Sequence, residues 1–149
     1  MLILDTNVLS ELMRREPDVQ VLAWAQAQTR EDVYTTAISE AEVLYGLELL
    51  PRGKRRDELR AAMQATFDQD MAGHILAFDG DAARVYAQIA ASCRKQGNPI
   101  SYADAQIAAI VQLRGATLAT RNLADFANCG IRTLNPWKEG SKSQPESRR

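Results

Sequence analysis

The sequence predicts a single α/β domain in three layers, with a central, mostly parallel sheet flanked by helices on both faces. Three observations predict it. Strand-length apolar runs alternate with helix-length amphipathic segments from residue 1 to residue 137, which is the pattern of βα units. The opening run Leu2-Ile3-Leu4 has no polar break and is too short for a helix, as expected of a strand buried on both faces. No repeat, composition shift or linker divides the 149 residues, a length that buries a core without disulfides or structural metals.

Taken in order, the opening strand ends at Asp5-Thr6-Asn7, and a short helix over Val8–Met13 follows, broken by Arg14-Arg15 and Pro17. Pro17-Asp18 opens a second helix with Val19, Leu22, Ala23 and Ala27 on one side. Val33–Thr36 has strand composition. Ser39 is expected to start a helix whose Val43, Leu44, Leu47 and Leu50 form an apolar face ending at Pro51. Arg52-Gly53-Lys54-Arg55-Arg56 reads as a basic turn, and Asp57–Phe67 as a helix. His74–Phe78 reads as a strand, after which Asp79 caps a helix to about Gln96. Ser101 begins an Ala- and Ile-rich helix that stops at Arg114-Gly115, where glycine is the expected terminator. Thr117–Thr120 and Ile131–Leu134 are strands, separated by one helical turn over Asn122–Phe126. The domain is expected to span 1–137, and the polar residues 138–149 to form a frayed tail.

Bulk properties exclude several classes. Net charge is −1, so no global basic field advertises nucleic-acid binding, and any such surface must be local. The last twelve residues carry four basic and two acidic groups, a basic appendage on a mildly acidic body. Cys93 and Cys129 lack CxxC spacing and have only His74 for company, which argues against zinc and for a reducing, cytoplasmic setting. No run reaches membrane-spanning length and no signal-peptide pattern precedes the first strand.

The chemistry concentrates in acids near helix starts. Asp5 stands at the carboxyl end of a strand, where ligands of open α/β sheets sit, although an N-cap role fits the same position. Ser39-Glu40-Ala41-Glu42, Ser101-Tyr102-Ala103-Asp104 and Asn122-Leu123-Ala124-Asp125 each place a carboxylate three residues after a capping residue. Singly, each is a capping box, in which the acid satisfies the backbone of its own N-cap. Asp is short for that reach, and Asp104 lies among Ala103, Ala105, Ala108 and Ala109, where a carboxylate is costly unless paired, bonded or metal-bound. In a parallel sheet these starts converge on one edge. Clustered carboxylates without basic neighbours repel, and oxygen-only ligation selects Mg²⁺ or Mn²⁺. Such a site activates water for attack on a phosphodiester.

The chain resembles PIN-domain proteins, specifically the VapC-type ribonuclease toxins of bacterial toxin–antitoxin pairs, close to the FitB-like branch. The resemblance rests on Leu2-Ile3-Leu4-Asp5-Thr6-Asn7, Ser39–Gly46, Asp104–Ala109, Leu118–Phe126 and Asn135-Pro136-Trp137, which keep the family's order from residue 1 to 137. It implies a PIN-like fold and an endoribonuclease dependent on Mg²⁺ or Mn²⁺, with Asp5, Glu42 and Asp104 as core acids. In that scheme Asp5 and Asp104 bind the metal, and Glu42 binds it through water or deprotonates that water. Many members carry a fourth acid where this chain has Asn122, so either Asp125 takes the role or Asn122 ligates through its amide oxygen. Thr6, Asn7 and Thr120 are candidates for fixing the carboxylates, with turn and cap roles as the alternative. The resemblance also implies an RNA substrate, a homodimer, and a cognate antitoxin that together with the toxin binds operator DNA. Apolar faces of the first two helices and of the Ser39–Leu50 helix are candidate partner surfaces.

Arg52, Lys54, Arg55 and Arg56 are candidates for gripping RNA phosphates, against a solvated turn; Arg14, Arg15 and Arg121 are weaker ones. Trp24, Trp137, Cys93 and Cys129 read as packing residues, and His74 as non-catalytic. A haloacid-type phosphatase would need an acid at position 7, which is Asn7. The remaining alternative is a catalytically weak regulator that acts with an antitoxin on operator DNA.

Overall fold

The computed structural model describes residues 1–139. Leu2–Leu4 (β1) is a strand and lies at the centre of the sheet. The other strands are Val33–Thr36 (β2), Ile75–Leu76 (β3), Thr117–Ala119 (β4) and Arg132–Leu134 (β5). Their order is β3-β2-β1-β4-β5, and every neighbouring pair is parallel. Six helices connect them: Thr6–Leu12 (α1), Val19–Gln26 (α2), Ala37–Glu48 (α3), Lys54–Gln64 (α4), Gly80–Lys95 (α5) and Tyr102–Arg114 (α6).

The pleat of the central strands divides the core. Ile3 and Leu118 face Ile107–Val111 of α6 and Ile89 and Cys93 of α5. Leu2, Leu4 and Ala119 face Val8 and Leu9 of α1, Val43 and Leu47 of α3, and Met63 of α4. Both faces of β1 are therefore covered, which is why its sequence is an unbroken apolar run rather than an alternating one. From β1 the chain moves outward to β2 and β3, then crosses back through α5 and α6 to β4 on the other side. The crevice above β1 and β4 is the point where this winding reverses, the place where parallel sheets bind ligands.

Asp18, Asp79 and Ser101 cap their helices, and Gly115 (φ +60°) ends α6 in the left-handed conformation, all as the sequence indicates. Several expectations are corrected. Helix α3 starts at Ala37 rather than Ser39, because the Thr36 hydroxyl accepts the Ser39 N–H at 3.1 Å. Helix α2 turns Val21 inward and leaves Val19 and Leu22 exposed, and Leu44 of α3 also points outward. Helix α4 begins at Lys54 and takes in most of the supposed basic turn, since Lys and Arg are good helix formers and only Gly53 breaks the chain. Beyond Gln64, α4 widens into a π-helical turn over Ala65–Asp70, where the Thr66 hydroxyl occupies the Ala62 carbonyl and Met71 N–H reaches Thr66 O. The strand expected over His74–Phe78 shortens to two residues at the sheet edge. Asn122 caps nothing with its side chain; the turn over Leu123–Phe126 is a 3₁₀ turn. Lys138 N–H closes a turn on Asn135 O, while residues 140–149 of the expected tail lie outside the described residues. No helix among the described residues is long and apolar enough to cross a membrane.

Thr35 shows how the sheet edge is secured. Its buried hydroxyl donates to Leu4 O at 2.8 Å, satisfying the carbonyl at the end of β1. Thr35→Val keeps the shape and orphans that carbonyl. The expected cost is about 1–3 kcal/mol, and a thermal melt should show it as a clear fall in Tm; an unchanged Tm would refute the role given to this bond.

Candidate active site

Asp5 is the innermost acid, 4% exposed at the end of β1. It caps α1, with Oδ1 accepting Thr6 N–H at 2.8 Å. Oδ2 accepts the Thr120 hydroxyl at 2.7 Å and Asn7 Nδ2 at 3.3 Å. Thr120, wholly buried just past β4, has its acceptor capacity taken by Asn122 N–H at 3.1 Å and Asn7 Nδ2 at 3.3 Å. Its single proton is thereby committed to Asp5. Asp5 N–H donates to Ala119 O at 2.9 Å, extending the β1–β4 ladder into the crevice. Asp5 therefore caps α1 while standing in the crevice at the end of β1.

Glu42 arrives one turn into α3. It is exposed, and its Oε1 accepts the Thr6 hydroxyl at 2.9 Å. Thr6 also shares a 3.0 Å hydrogen bond with Ser39, which is fully buried. Because Thr36 is the cap, Glu42 is no capping-box acid. Asp104 sits in the first turn of α6, where its N–H is capped by Ser101 Oγ at 3.2 Å. Ala105, Ala108 and Ala109 pack that helix closely on the core.

Asp5 senses the other two acids. Burial raises the Asp5 pKa above its ordinary value against its hydrogen bonds from Thr120 and Thr6, and the charges of Asp104 and Glu42 push it further up. Burial likewise raises Asp104, partly offset by Ser101, with Asp125 adding repulsion. Among the described residues none of these three acids has a basic side chain in an ion pair, and no group of three His, Cys, Asp or Glu is closely enough set to hold a metal ion as it stands. The donor chemistry nevertheless fits a hard divalent cation: the groups are all carboxylate oxygens, partly desolvated and mutually repelling. Asp125 is exposed and faces Asp104 rather than Asp5; Asn122 is tied to the centre through its N–H.

The predicted basic run divides. Arg55 lines a groove of about 760 Å³ with Thr6, Glu42, Arg14 and Arg15, between α1, α3 and α4. Arg52 and Arg56 turn to another face of α4, where Arg56 pairs with Glu48 at 3.0 Å, and Lys54 lies 3.8 Å from Glu58. Ser39, a cap candidate by sequence, instead joins the cluster through its hydroxyl contact with Thr6. Cys93 and Cys129 are buried; burial first, then the neighbouring Cys93, pushes the Cys129 thiol up to about 12, so it stays neutral.

The PIN-domain pattern matches residues 2–130. The VapC ribonuclease Y4jK of Sinorhizobium fredii is 42% identical over 93% of this chain and 99% of its own length. Toxin FitB of Neisseria gonorrhoeae is 38% identical over 93% of this chain and 100% of its own. The solved structure of FitAB bound to an IR36 DNA fragment contains a chain superposing with a TM-score of 0.86 at 39% identity, covering 92% of this chain and 96% of that one.

The raised acid pKa values carry a stability consequence. Below the free value of 3.8 both states of Asp104 are protonated and no penalty exists. As pH rises, the unfolded chain ionises first, so stability falls until the folded carboxyl also ionises, and the penalty then persists. Asp104→Asn removes it. In chelator-treated buffer the variant should melt above wild type near neutral pH, with the gap closing below the free carboxylate pKa. A gap that is absent, or equal at both pH values, would overturn this account.

Proposed function

The chain belongs to the PIN-domain family, and from that premise we propose that it is the toxin of a type II toxin–antitoxin pair, an endoribonuclease that hydrolyses RNA phosphodiester bonds with Mg²⁺ or Mn²⁺. The observation that carries the reading is the joining of Asp5, Thr120, Thr6 and Glu42 in one hydrogen-bonded unit over the point where the winding reverses, with Asp104 adding its charge. Its relatives carry matching names over nearly their whole lengths.

Asp5 and Asp104 are the residues to hold the cation, because they are the desolvated pair whose charge most needs one. Bound there, a divalent cation supplies positive charge to the phosphate and acidifies water. Glu42, the exposed acid, takes the proton of the attacking water. Thr6 holds its carboxylate by the 2.9 Å bond, so the base is oriented before substrate arrives. Asn7 and Thr120 fix Asp5 in turn. Asp125 contributes the fourth acid, beside Asp104, while Asn122 steadies Thr120. The water oxygen attacks phosphorus in line as the bond to the leaving oxygen breaks, with the site's donors set before the reaction.

The proposal includes a cytoplasmic setting, where RNA is met, and a folded unit ending near residue 137. It also includes a homodimer, and a heteromeric complex with a cognate antitoxin on operator DNA, in keeping with the DNA-bound FitAB complex. Exposed Leu44 and Tyr45 of α3, with Leu49 just past its end, are available for such contacts. Arg55, with Arg14 and Arg15, is the part of the basic surface placed to meet RNA.

Asp5→Ala and Asp104→Ala should each lower cleavage of total bacterial RNA by at least about 100-fold while a cooperative melt is retained. Excess chelator should abolish wild-type cleavage, with Mg²⁺ or Mn²⁺ restoring it. Cleavage that survives either substitution in a folded protein, or persists in chelator, would sink the assignment.

A further inference from the structure

Arg121 follows Thr120 past β4, and both its backbone and its side chain are held. Its N–H donates to Asn7 Oδ1 at 3.1 Å, and Asn7 Nδ2 reaches Asp5 Oδ2 at 3.3 Å, so Arg121 stands one side chain away from the buried acid. Its guanidinium lies over the Trp137 ring, 4.8 Å from the ring centre. Trp137 is itself anchored just past β5: its N–H donates to Asn135 Oδ1 at 3.0 Å, Asn135 is buried, and the ring packs on the core half that holds Leu2, Leu4 and Ala119.

Among the described residues Arg121 is in no ion pair, and its guanidinium rests on Trp137 instead. Stacked on an aromatic face, a guanidinium keeps the N–H donors at its rim free and loses little further entropy on binding. Those donors suit the oxygens of a phosphate in a bidentate contact. The sheet order puts this ledge on the β4–β5 side of Asp5, and the groove with Arg14, Arg15 and Arg55 on the side of α1 and α3. A strand crossing the acids from one side to the other meets a cation on each flank.

We propose that Arg121, next in sequence to Thr120 and laid across Trp137, grips an RNA phosphate next to the scissile one and so sets the register of the strand over the acids. The inference rests on the ribonuclease reading above and goes beyond it by assigning a substrate-positioning contact to the Arg121–Trp137 pair.

The test uses the full chain, total bacterial RNA, and a short synthetic RNA spanning the first cleavage site mapped in it. Arg121→Gln should raise KM about 5–10-fold with kcat changed by less than about twofold, and should reduce the slope of log(1/KM) against log[salt] by about 1. Arg121→Lys should restore the slope but only part of KM, since a point charge replaces the planar fork. Trp137→Phe, which keeps an aromatic ring in the core but weakens the cation–π contact, should raise KM about twofold. A wild-type KM and salt slope in Arg121→Gln would overturn the inference while leaving the ribonuclease reading intact. A loss confined to kcat or Tm, with the slope unmoved, would make Arg121 a structural residue and overturn it equally. No cleavage of total RNA by wild type would overturn both.

Discussion

The 2.7 Å hydrogen bond from the Thr120 hydroxyl to Asp5 is the contact on which the rest of the site depends. A carboxylate buried to 4% exposure is expensive in its charged form. Here the compensation comes from one hydroxyl, one backbone N–H and one amide, all neutral. Each donor is itself fixed by the fold. Thr6 N–H is an open end of α1, Thr120 is the residue after β4, and Asn7 bridges the two strand ends by also accepting Arg121 N–H. Removing any one would loosen the join between β1 and β4, so the sheet's central pairing and the position of the acid are a single problem with a single solution.

Neutral donors leave the charge of the site uncancelled, and that choice has consequences. An arginine paired with Asp5 would lower its pKa and stabilise the fold, but would also consume the negative charge that attracts a cation. Burial instead raises Asp5 and Asp104, and the neighbouring charges add to it, Asp104 and Glu42 acting on Asp5 and Asp125 on Asp104. The fold tolerates this repulsion because Ile3 and Leu118 are packed against α6 and α5, and Leu4 and Ala119 against α1 and α3, holding both central strands from either face. Strain of this kind at a functional site is expected where stability is given up for binding.

Most of the architecture was legible because it follows from pattern. Three apolar residues with no polar break identified the central strand, and Asp18, Asp79, Ser101 and Gly115 marked helix ends by chemistry that acts within one turn. The misreadings have local causes as well. Ser39 is a good cap by type, but Thr36 stands three residues earlier and captures its N–H, leaving Ser39 free to bond Thr6 inside the site. That shift by three residues is what separates Glu42 from a capping role. Thr120 was legible only as a candidate, because its partners Asp5 and Asn7 are more than a hundred residues away and no local rule links them. The basic run from Arg52 to Arg56 looked like one surface, but the helical turn beginning at Lys54 spreads it over different faces.

The Arg121–Trp137 contact gives a cation on the β4–β5 side of the crevice a partner that is not a carboxylate. Coulomb attraction between unit charges a few ångströms apart amounts to about 4 kcal/mol at an effective dielectric constant near 20, enough to draw a free guanidinium toward an acid. Packing that guanidinium on an aromatic face offers it an alternative worth about 0.5–1 kcal/mol at an exposed site, and the backbone bond to Asn7 orients the residue toward β5. Together with the anchoring of Trp137 by Asn135, they fix a direction for the side chain that solvent screening then makes tolerable. The result is a cluster of acids above β1 and β4 with an aromatic-held arginine on the β4–β5 side, the charge pattern on which the proposed cation and phosphate contacts rest.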